Sequence, residues 1–118
     1  MSAAGTGYRH PMTLVRTQPG DSDGLAVVYL HGDVDIQTEQ NVVAAIGAAL
    51  DGPVREVVVD LTNVPFLDSS GIRALLQGRQ TALLYGATLR VRNPRRIVDQ
   101  ILRITGVAPL LGLAAGRR

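Results

Sequence analysis

The run Glu56-Val57-Val58-Val59-Asp60-Leu61 constrains this chain more than any other segment. Consecutive β-formers without polar alternation describe a strand buried on both faces, so other structure must pack above and below it. A few residues on, Ile72, Leu75, Leu76 and Leu83 recur at i, i+3, i+4 and i+11, one stripe of a 3.6-residue helix. Between strand and helix sits Asp68-Ser69-Ser70-Gly71. Two hydroxyls thus stand at or near a helix N-terminus, just past the end of a core strand. Free backbone N–H groups and the positive end of the helix dipole suit that place to a phosphate or a recognition contact.

The rest of the chain supplies the cover such a strand needs. Residues 12–17 read as a first strand, and Pro19-Gly20-Asp21-Ser22-Asp23-Gly24 as the turn-rich loop of a hairpin to an apolar run at 25–30. Gly32-Asp33-Val34-Asp35 leads into a helix from about Thr38, with Val42, Val43, Ile46, Ala49 and Leu50 on its buried side. Asp51-Gly52-Pro53 stops it. The second helix closes with Gly86 at C′, and Leu89 and Val91 then alternate with Thr88, Arg90 and Arg92 as a half-exposed strand. Asn93 as N-cap and Pro94 at N1 open a third helix, buried through Ile97, Val98, Ile101, Leu102 and Ile104 and ended by Gly106. A last short strand falls at 110–113. The order β-β-α-β-α-β-α, with or without that strand, implies an α/β domain: a mixed sheet of four to five strands with helices packed on it. Residues 12–113 form this one domain, between flexible tails at 1–11 and 114–118.

Composition narrows the chemistry. With no Cys there are no disulfides, thiolate metal sites or cysteine nucleophiles. No apolar run approaches the roughly 20 residues of a membrane span, and the first eight residues lack the apolar centre of a signal peptide. A soluble cytoplasmic protein with no membrane role is the default. His10 and His31 have no sequence neighbours that suggest a triad or a metal site. Neither a G-x-S-x-G elbow nor a P-loop is present. The expectation is therefore a binder and not an enzyme: no catalytic residues, no metal site, no cofactor.

All 12 basic residues are Arg, which together with the Ala and Gly richness reads as the coding bias of a GC-rich, bacterial genome. Their placement says more. Residues 1–71 hold 3 Arg against 9 acids, a balance of −6, whereas residues 72–118 hold 9 Arg against Asp99 alone, +8. Such asymmetry marks either solvated faces or a contact with nucleic acid or an acidic protein. A nucleic-acid surface would draw on Arg90, Arg92, Arg95, Arg96 and Arg103, but aromatics for stacking make up only 3% of the chain. No direct nucleic-acid partner is expected.

Three segments together resemble the STAS-domain proteins of the anti-sigma factor antagonist type. Gly32-Asp33-Val34-Asp35, followed by Thr38, is similar to that family's G-(D/E)-(L/V)-D-x-x-T turn after its second strand. Val58-Val59-Asp60-Leu61 through Phe66-Leu67-Asp68-Ser69-Ser70-Gly71 is similar to its strand and D-S-S-G signature. Asn93-Pro94 and the apolar helix to Gly106 resemble its third helix, so the likeness spans roughly residues 12–106.

The resemblance implies a STAS-type fold and a phosphorylation-gated switch acting on transcription in a bacterial stress response. The serine phosphorylated in that family is the first of the signature, here Ser69, and the kinase is the anti-sigma factor itself. The unphosphorylated antagonist binds the anti-sigma factor and frees a sigma factor; the phosphorylated form lets go, and a serine phosphatase resets it. Partner contact would then fall on Asp35, Thr38, Asp68, Ser69, Ser70 and Gly71. The residues also support plainer roles. Asp68, Ser69 and Ser70 are good N-cap residues, Thr38 reads as an N-cap, and Asp35 near a helix start favours the dipole. A phosphorylation-independent STAS adaptor in a lipid-transport or sensory complex would keep the fold and discard the switch.

Overall fold

The computed structural model describes residues 13–15 and 24–113. Strand β3 (Glu56–Asn63) runs parallel to β2 (Leu25–His31) on one side and to β4 (Thr88–Arg92) on the other. Strand β1 (Thr13–Val15) pairs antiparallel with β2 at the edge, so the order β1-β2-β3-β4 follows the chain. Among the described residues the mixed sheet thus has four strands, three of them parallel. The expected strand at 110–113 is a correction: Pro109–Leu111 forms a turn of 3₁₀ helix. Pro109 has no N–H to give to a ladder, and Gly112 turns the chain left-handed at φ 79°. The tails expected at 1–11 and 114–118, and the hairpin loop before Gly24, lie outside the described residues.

Helix α1 (Glu39–Ala49) links β2 to β3, helix α2 (Ser69–Leu84) links β3 to β4, and the two helices pack on each other and on the sheet. Ala26, Val28, Leu30, Val57, Val59, Leu61, Leu89 and Val91 point from the strands into one apolar cluster with Val42, Ile46 and Leu75. Val27 and Val58, on the alternate positions, are buried as well. Strand β3 is therefore enclosed on both faces, as its run of valines requires. Each such side chain contributes about 1.5–3 kcal/mol on burial, which is how a core almost free of aromatic rings is built.

The buried stripe of α2 is not the apolar one. Gly71, Ala74, Leu75, Gly78 and Ala82 face inward, Ile72 and Leu76 are half-buried, and Leu83 is exposed. Close packing decides this: a Cβ on Gly78 would stand 2.4 Å from Ile46 Cδ1 of α1. Only small residues admit that approach. Helix α3 (Arg96–Ile104) likewise buries Val98 and Leu102, while Ile97 and Ile104 are exposed and Ile101 is half-buried.

Helix α3 also begins two residues later than Asn93-Pro94 indicates, with Arg95 as its N-cap and no side-chain capping bond. Asn93 is drawn off by the sheet. It turns left-handed at φ 56°, a conformation Asn tolerates better than most residues, and its Nδ2 donates to Asp60 Oδ2 at 3.3 Å. The C-termini of α2 and α3 obey expectation. Gly86 N–H donates to Leu83 and Ala87 N–H to Ala82; Gly106 N–H donates to Arg103 and Val107 N–H to Leu102. Each pair of bonds is a Schellman closure.

Candidate functional site

Past the ends of β2 and β3 the two chains stay bonded to each other. Gly32 N–H donates to Asn63 at 2.9 Å, Val34 N–H to Phe66 at 3.1 Å, and Asp68 N–H back to Val34 at 3.3 Å, with Val34 and Leu67 paired as a parallel bridge. This extension is offset from the strands by an irregularity in register between Tyr29 and His31, where β3 holds one residue more than β2. Side chains satisfy the extra residue: Thr62 N–H donates to Asp60 Oδ1 at 2.9 Å, and Arg95 Nε donates to the Thr62 carbonyl at 2.8 Å. The consequence is functional geometry. The loop carrying Asp35 and the loop carrying Asp68-Ser69 lie side by side at the carboxyl ends of parallel strands, the end of such sheets where binding sites gather.

Asp68 is the N-cap of α2. Its extended backbone turns the chain into the helix, and its Oδ1 accepts from Ser70 N–H at 2.8 Å and Gly71 N–H at 3.1 Å. Ser69, the first helical residue, is exposed, whereas Ser70 is buried. Gly71 is pressed against the neighbouring loop: a Cβ there would stand 2.8 Å from both the Val34 carbonyl oxygen and Leu67 Cγ. The four residues of the motif thus divide the work. Asp68 caps, Ser70 and Gly71 are buried, and Ser69 is the exposed residue of the four.

Asp35 and Thr38 hold each other. Asp35 Oδ1 accepts from Gln37 N–H at 3.0 Å and Thr38 N–H at 3.3 Å, while Thr38 Oγ1 accepts from Asp35 N–H at 3.0 Å and donates to the Asp33 carbonyl at 3.1 Å. This is the reciprocity of a capping box, placed one turn ahead of α1. Thr38 occupies the N-cap position but makes no capping bond to the helix, which corrects the reading of it as a cap. It is buried at 3% and shapes the loop. Asp33 is exposed, as a loop residue should be, and Asp35 is half-buried.

Sequence reasoning missed four residues here. Ile36 is 70% exposed and Phe66 44%, so each of the two adjoining loops offers an apolar side chain to solvent. Arg73 Nε donates to Glu39 Oε2 at 2.7 Å and its Nη2 to Oε1 at 2.9 Å, tying the start of α1 to the second turn of α2. That hydrogen-bonded arginine holds the Glu39 carboxyl below its ordinary range. Phe66 could have been flagged as the chain's one Phe, in the short segment Val64-Pro65-Phe66-Leu67 that leads into the serine motif. The Glu39–Arg73 pair left no local signal, because the partners are 34 residues apart.

The charge asymmetry resolves largely into the fold. Arg90 meets Glu56 and Arg92 meets Asp60, each at 2.8 Å, and Arg103 meets Asp99 within α3 at 2.9 Å. Arg92 Nη2 also reaches the Tyr29 hydroxyl at 3.4 Å, with its guanidinium carbon 5.9 Å from the ring centroid. Burial pushes the Asp60 carboxyl up, but hydrogen bonds from Thr62 and Arg92 outweigh it and hold the group below its ordinary value. Of the five arginines considered for nucleic acid, four are engaged within the protein: Arg90, Arg92, Arg95 and Arg103.

Among the described residues no helix is long and apolar enough to cross a membrane, and no group of three or more His, Cys, Asp or Glu could hold a metal ion. A cleft of ≈ 400 Å³ lined by Leu25, Ala26, Ala48, Ala49 and Pro53 opens at the start of β2, the opposite end of the sheet from Ser69.

Residues 15–116 match the family model described as the STAS domain. An anti-sigma factor antagonist from Mycobacterium paratuberculosis is similar at 27% identity and a TM-score of 0.69, over 91% of this chain and 87% of that one. The anti-sigma factor antagonist SpoIIAA in its unphosphorylated form shares 24% identity with a TM-score of 0.65, over 88% of this chain and 89% of its own. The Bacillus cell fate determinant SpoIIAA in the phosphorylated form shares 22% identity with a TM-score of 0.58, over 88% of this chain and 92% of its own. No curated protein sequence matches the chain.

Proposed function

The chain belongs to the STAS domain family, and from that premise we propose that it is an anti-sigma factor antagonist switched by phosphorylation of Ser69. Unphosphorylated, it binds an anti-sigma factor of the serine-kinase type in the cytoplasm and frees a sigma factor. Phosphorylation ends that contact, and a serine phosphatase restores it. In the transfer, Ser69 Oγ forms the new O–P bond, a nucleoside triphosphate held by the kinase loses its terminal phosphoryl group, and the hydroxyl proton is released. The protein acts as substrate and binder, with Asp35, Thr38, Asp68, Ser69, Ser70 and Gly71 making or shaping the contact.

One observation carries the reading: Ser69 is the exposed member of a motif whose other residues are occupied by the fold. A hydroxyl at the first helical position is open to a kinase, and the helix dipole tolerates the phosphate it receives, so the domain need not unfold. Ile36 and Phe66, exposed on the two adjoining loops, supply the apolar anchors of a protein contact. A phosphate brings about −1.5 to −2 charges to that spot, and a partner packed over it would face desolvation and repulsion by any carboxylate of its own. The likeness to antagonists solved with and without phosphate supports the same assignment.

The test is a paired pull-down from the source cell with Ser69→Ala and Ser69→Asp as baits and mass spectrometry as readout. An anti-sigma factor or serine kinase held by the Ala bait and lost from the Asp bait, by about tenfold or more in affinity (~1.4 kcal/mol), is the expected result. Equal recovery of the same transporter or scaffold subunits on both baits would refute the switch and favour the adaptor reading.

A further inference from the structure

Arg73 stands at i+4 from Ser69, the spacing at which two side chains share one face of a helix. Its guanidinium makes a forked contact with Glu39, and the nitrogen bonded to Glu39 Oε1, Nη2, also donates to Ser70 Oγ at 3.4 Å. The head of Arg73 therefore lies over the first turn of α2, close to the serine pair. The partners differ in freedom: the Arg73 side chain is 57% exposed and that of Glu39 only 10%. The arginine has room to swing; the acid does not.

We propose that Arg73 is the internal receptor for a phosphate on Ser69, and that phosphorylation draws this guanidinium away from Glu39. The inference rests on Ser69 being the acceptor and adds how the added charge is read inside the domain. A phosphoserine offers about −1.5 to −2 charges and three acceptor oxygens, against one charge and two oxygens on Glu39. Arginine binds phosphate through the same fork it offers a carboxylate. An anion placed N-terminal to a cation at i, i+4 is the favourable order along a helix. Two backbone donors of the first turn, the N–H groups of Ser70 and Gly71, are already taken by Asp68, and the charge on Asp68, next to the serine in the chain, is negative. Arg73 is the cation one turn away.

The exchange has a second effect. Glu39 is left without its arginine while still largely covered at the first turn of α1, and a covered, unpaired carboxylate must either swing out or take up a proton. A phosphate on the α2 loop thereby disturbs the neighbouring Asp35–Thr38 loop, which runs directly into Glu39. The partner surface changes on two loops instead of one.

The experiment places phosphoserine at 69 by genetic encoding, so that neither kinase nor partner is needed, and follows the phosphate by ³¹P NMR through a pH titration. The second ionisation is expected to fall lower in the wild-type background than in Arg73→Gln by about half a unit, the size of a partly exposed charge pair. It should fall lower still in Glu39→Gln, where the competitor for Arg73 is gone. The Arg73 Nε–Hε resonance should shift on phosphorylation. Arg73→Lys, which retains the charge without the fork, should fall between wild type and Arg73→Gln and serves if the Gln variant is unstable. Equal ionisation in the wild-type, Gln and Lys backgrounds, or an Arg73 resonance that ignores the phosphate, would overturn the proposal. Partner release is read separately by the Ser69 baits, so either idea can fail while the other stands.

Discussion

Two glycines of α2 face different obstacles, and replacing each with Ala separates them. At Gly71 a Cβ meets the Val34 carbonyl oxygen and Leu67 Cγ at 2.8 Å; at Gly78 it meets Ile46 Cδ1 at 2.4 Å. Both substitutions gain about 0.5–1 kcal/mol of helix propensity. At Gly71 the obstacle is backbone, so overpacking costs about 1–3 kcal/mol. The displaced Val34 carbonyl also weakens its bond from Asp68 N–H, about another 0.5–1.5 kcal/mol. Gly71→Ala should therefore destabilise the domain by about 2 kcal/mol, within a span of about 0.5–4 kcal/mol. At Gly78 the obstacle is a terminal methyl, which can rotate aside at about 0.5–1.5 kcal/mol, so Gly78→Ala should fall within about 0.5 kcal/mol of wild type. Urea denaturation followed by circular dichroism measures both. The cycle with Ile46→Val sharpens the test. Deleting that methyl alone costs about 0.5–1.5 kcal/mol, yet in the Gly78→Ala background it vacates the space the new Cβ needs. The two changes should couple favourably by about 1 kcal/mol. If Gly71→Ala is as mild as Gly78→Ala, or if the two changes of the cycle simply add, the close-approach reasoning is wrong.

Three further outcomes are expected. Asp68→Ala should cost about 1 kcal/mol in the same denaturation assay, while Asp68→Asn, which keeps a capping oxygen, should cost only a few tenths. In α3, Leu102→Ala should cost about 2–5 kcal/mol, whereas Ile104→Ala, on an 83% exposed side chain, should stay within about 0.5 kcal/mol. Asp60 has a folded-state ionisation below its unfolded value of about 3.9, so its contribution is complete above that pH and is lost as the pH falls through the lower, folded value. Acid unfolding of Asp60→Asn should accordingly show a shallower stability slope below about pH 4 than wild type; an identical slope would show that the Arg92 and Thr62 bonds do not favour the ionised form.

Where one local signal ruled, the sequence could be read directly. The valines of β3, the Asp68 cap and the glycines closing α2 and α3 each act within a few residues, and the structure has them as expected. Misreadings arose where a distant segment outbid a local preference. Asn93 is a good N-cap by type, but Asp60 on β3 claims its side chain and the helix starts later. Leu83 belongs to an apolar stripe, but the nearness of α1 turns the smaller residues inward. Thr38 is a different case, decided locally: its hydroxyl closes a box with Asp35, three residues before it. At the candidate site, the placement of Ser69 was legible from its motif. The ion pair beside it was not, since nothing near Glu39 in the chain announces Arg73.

Among the described residues, three ion pairs join the acidic first half to the basic second half, and they link residues 32–34 positions apart. During synthesis this spacing becomes a delay. Glu39, Glu56 and Asp60 leave the ribosome well before Arg73, Arg90 and Arg92, and residues 1–71 carry a formal −6 while those arginines are still unmade. Self-repulsion then adds to the slow closure of non-local parallel strands. The acidic half cannot neutralise itself or cover β3 until α2 and β4 emerge. Ser69 consequently gains its exposed place at a formed helix start only once α2 and β4 have emerged, and a kinase that reads this folded surface would ignore chains that have not reached that point.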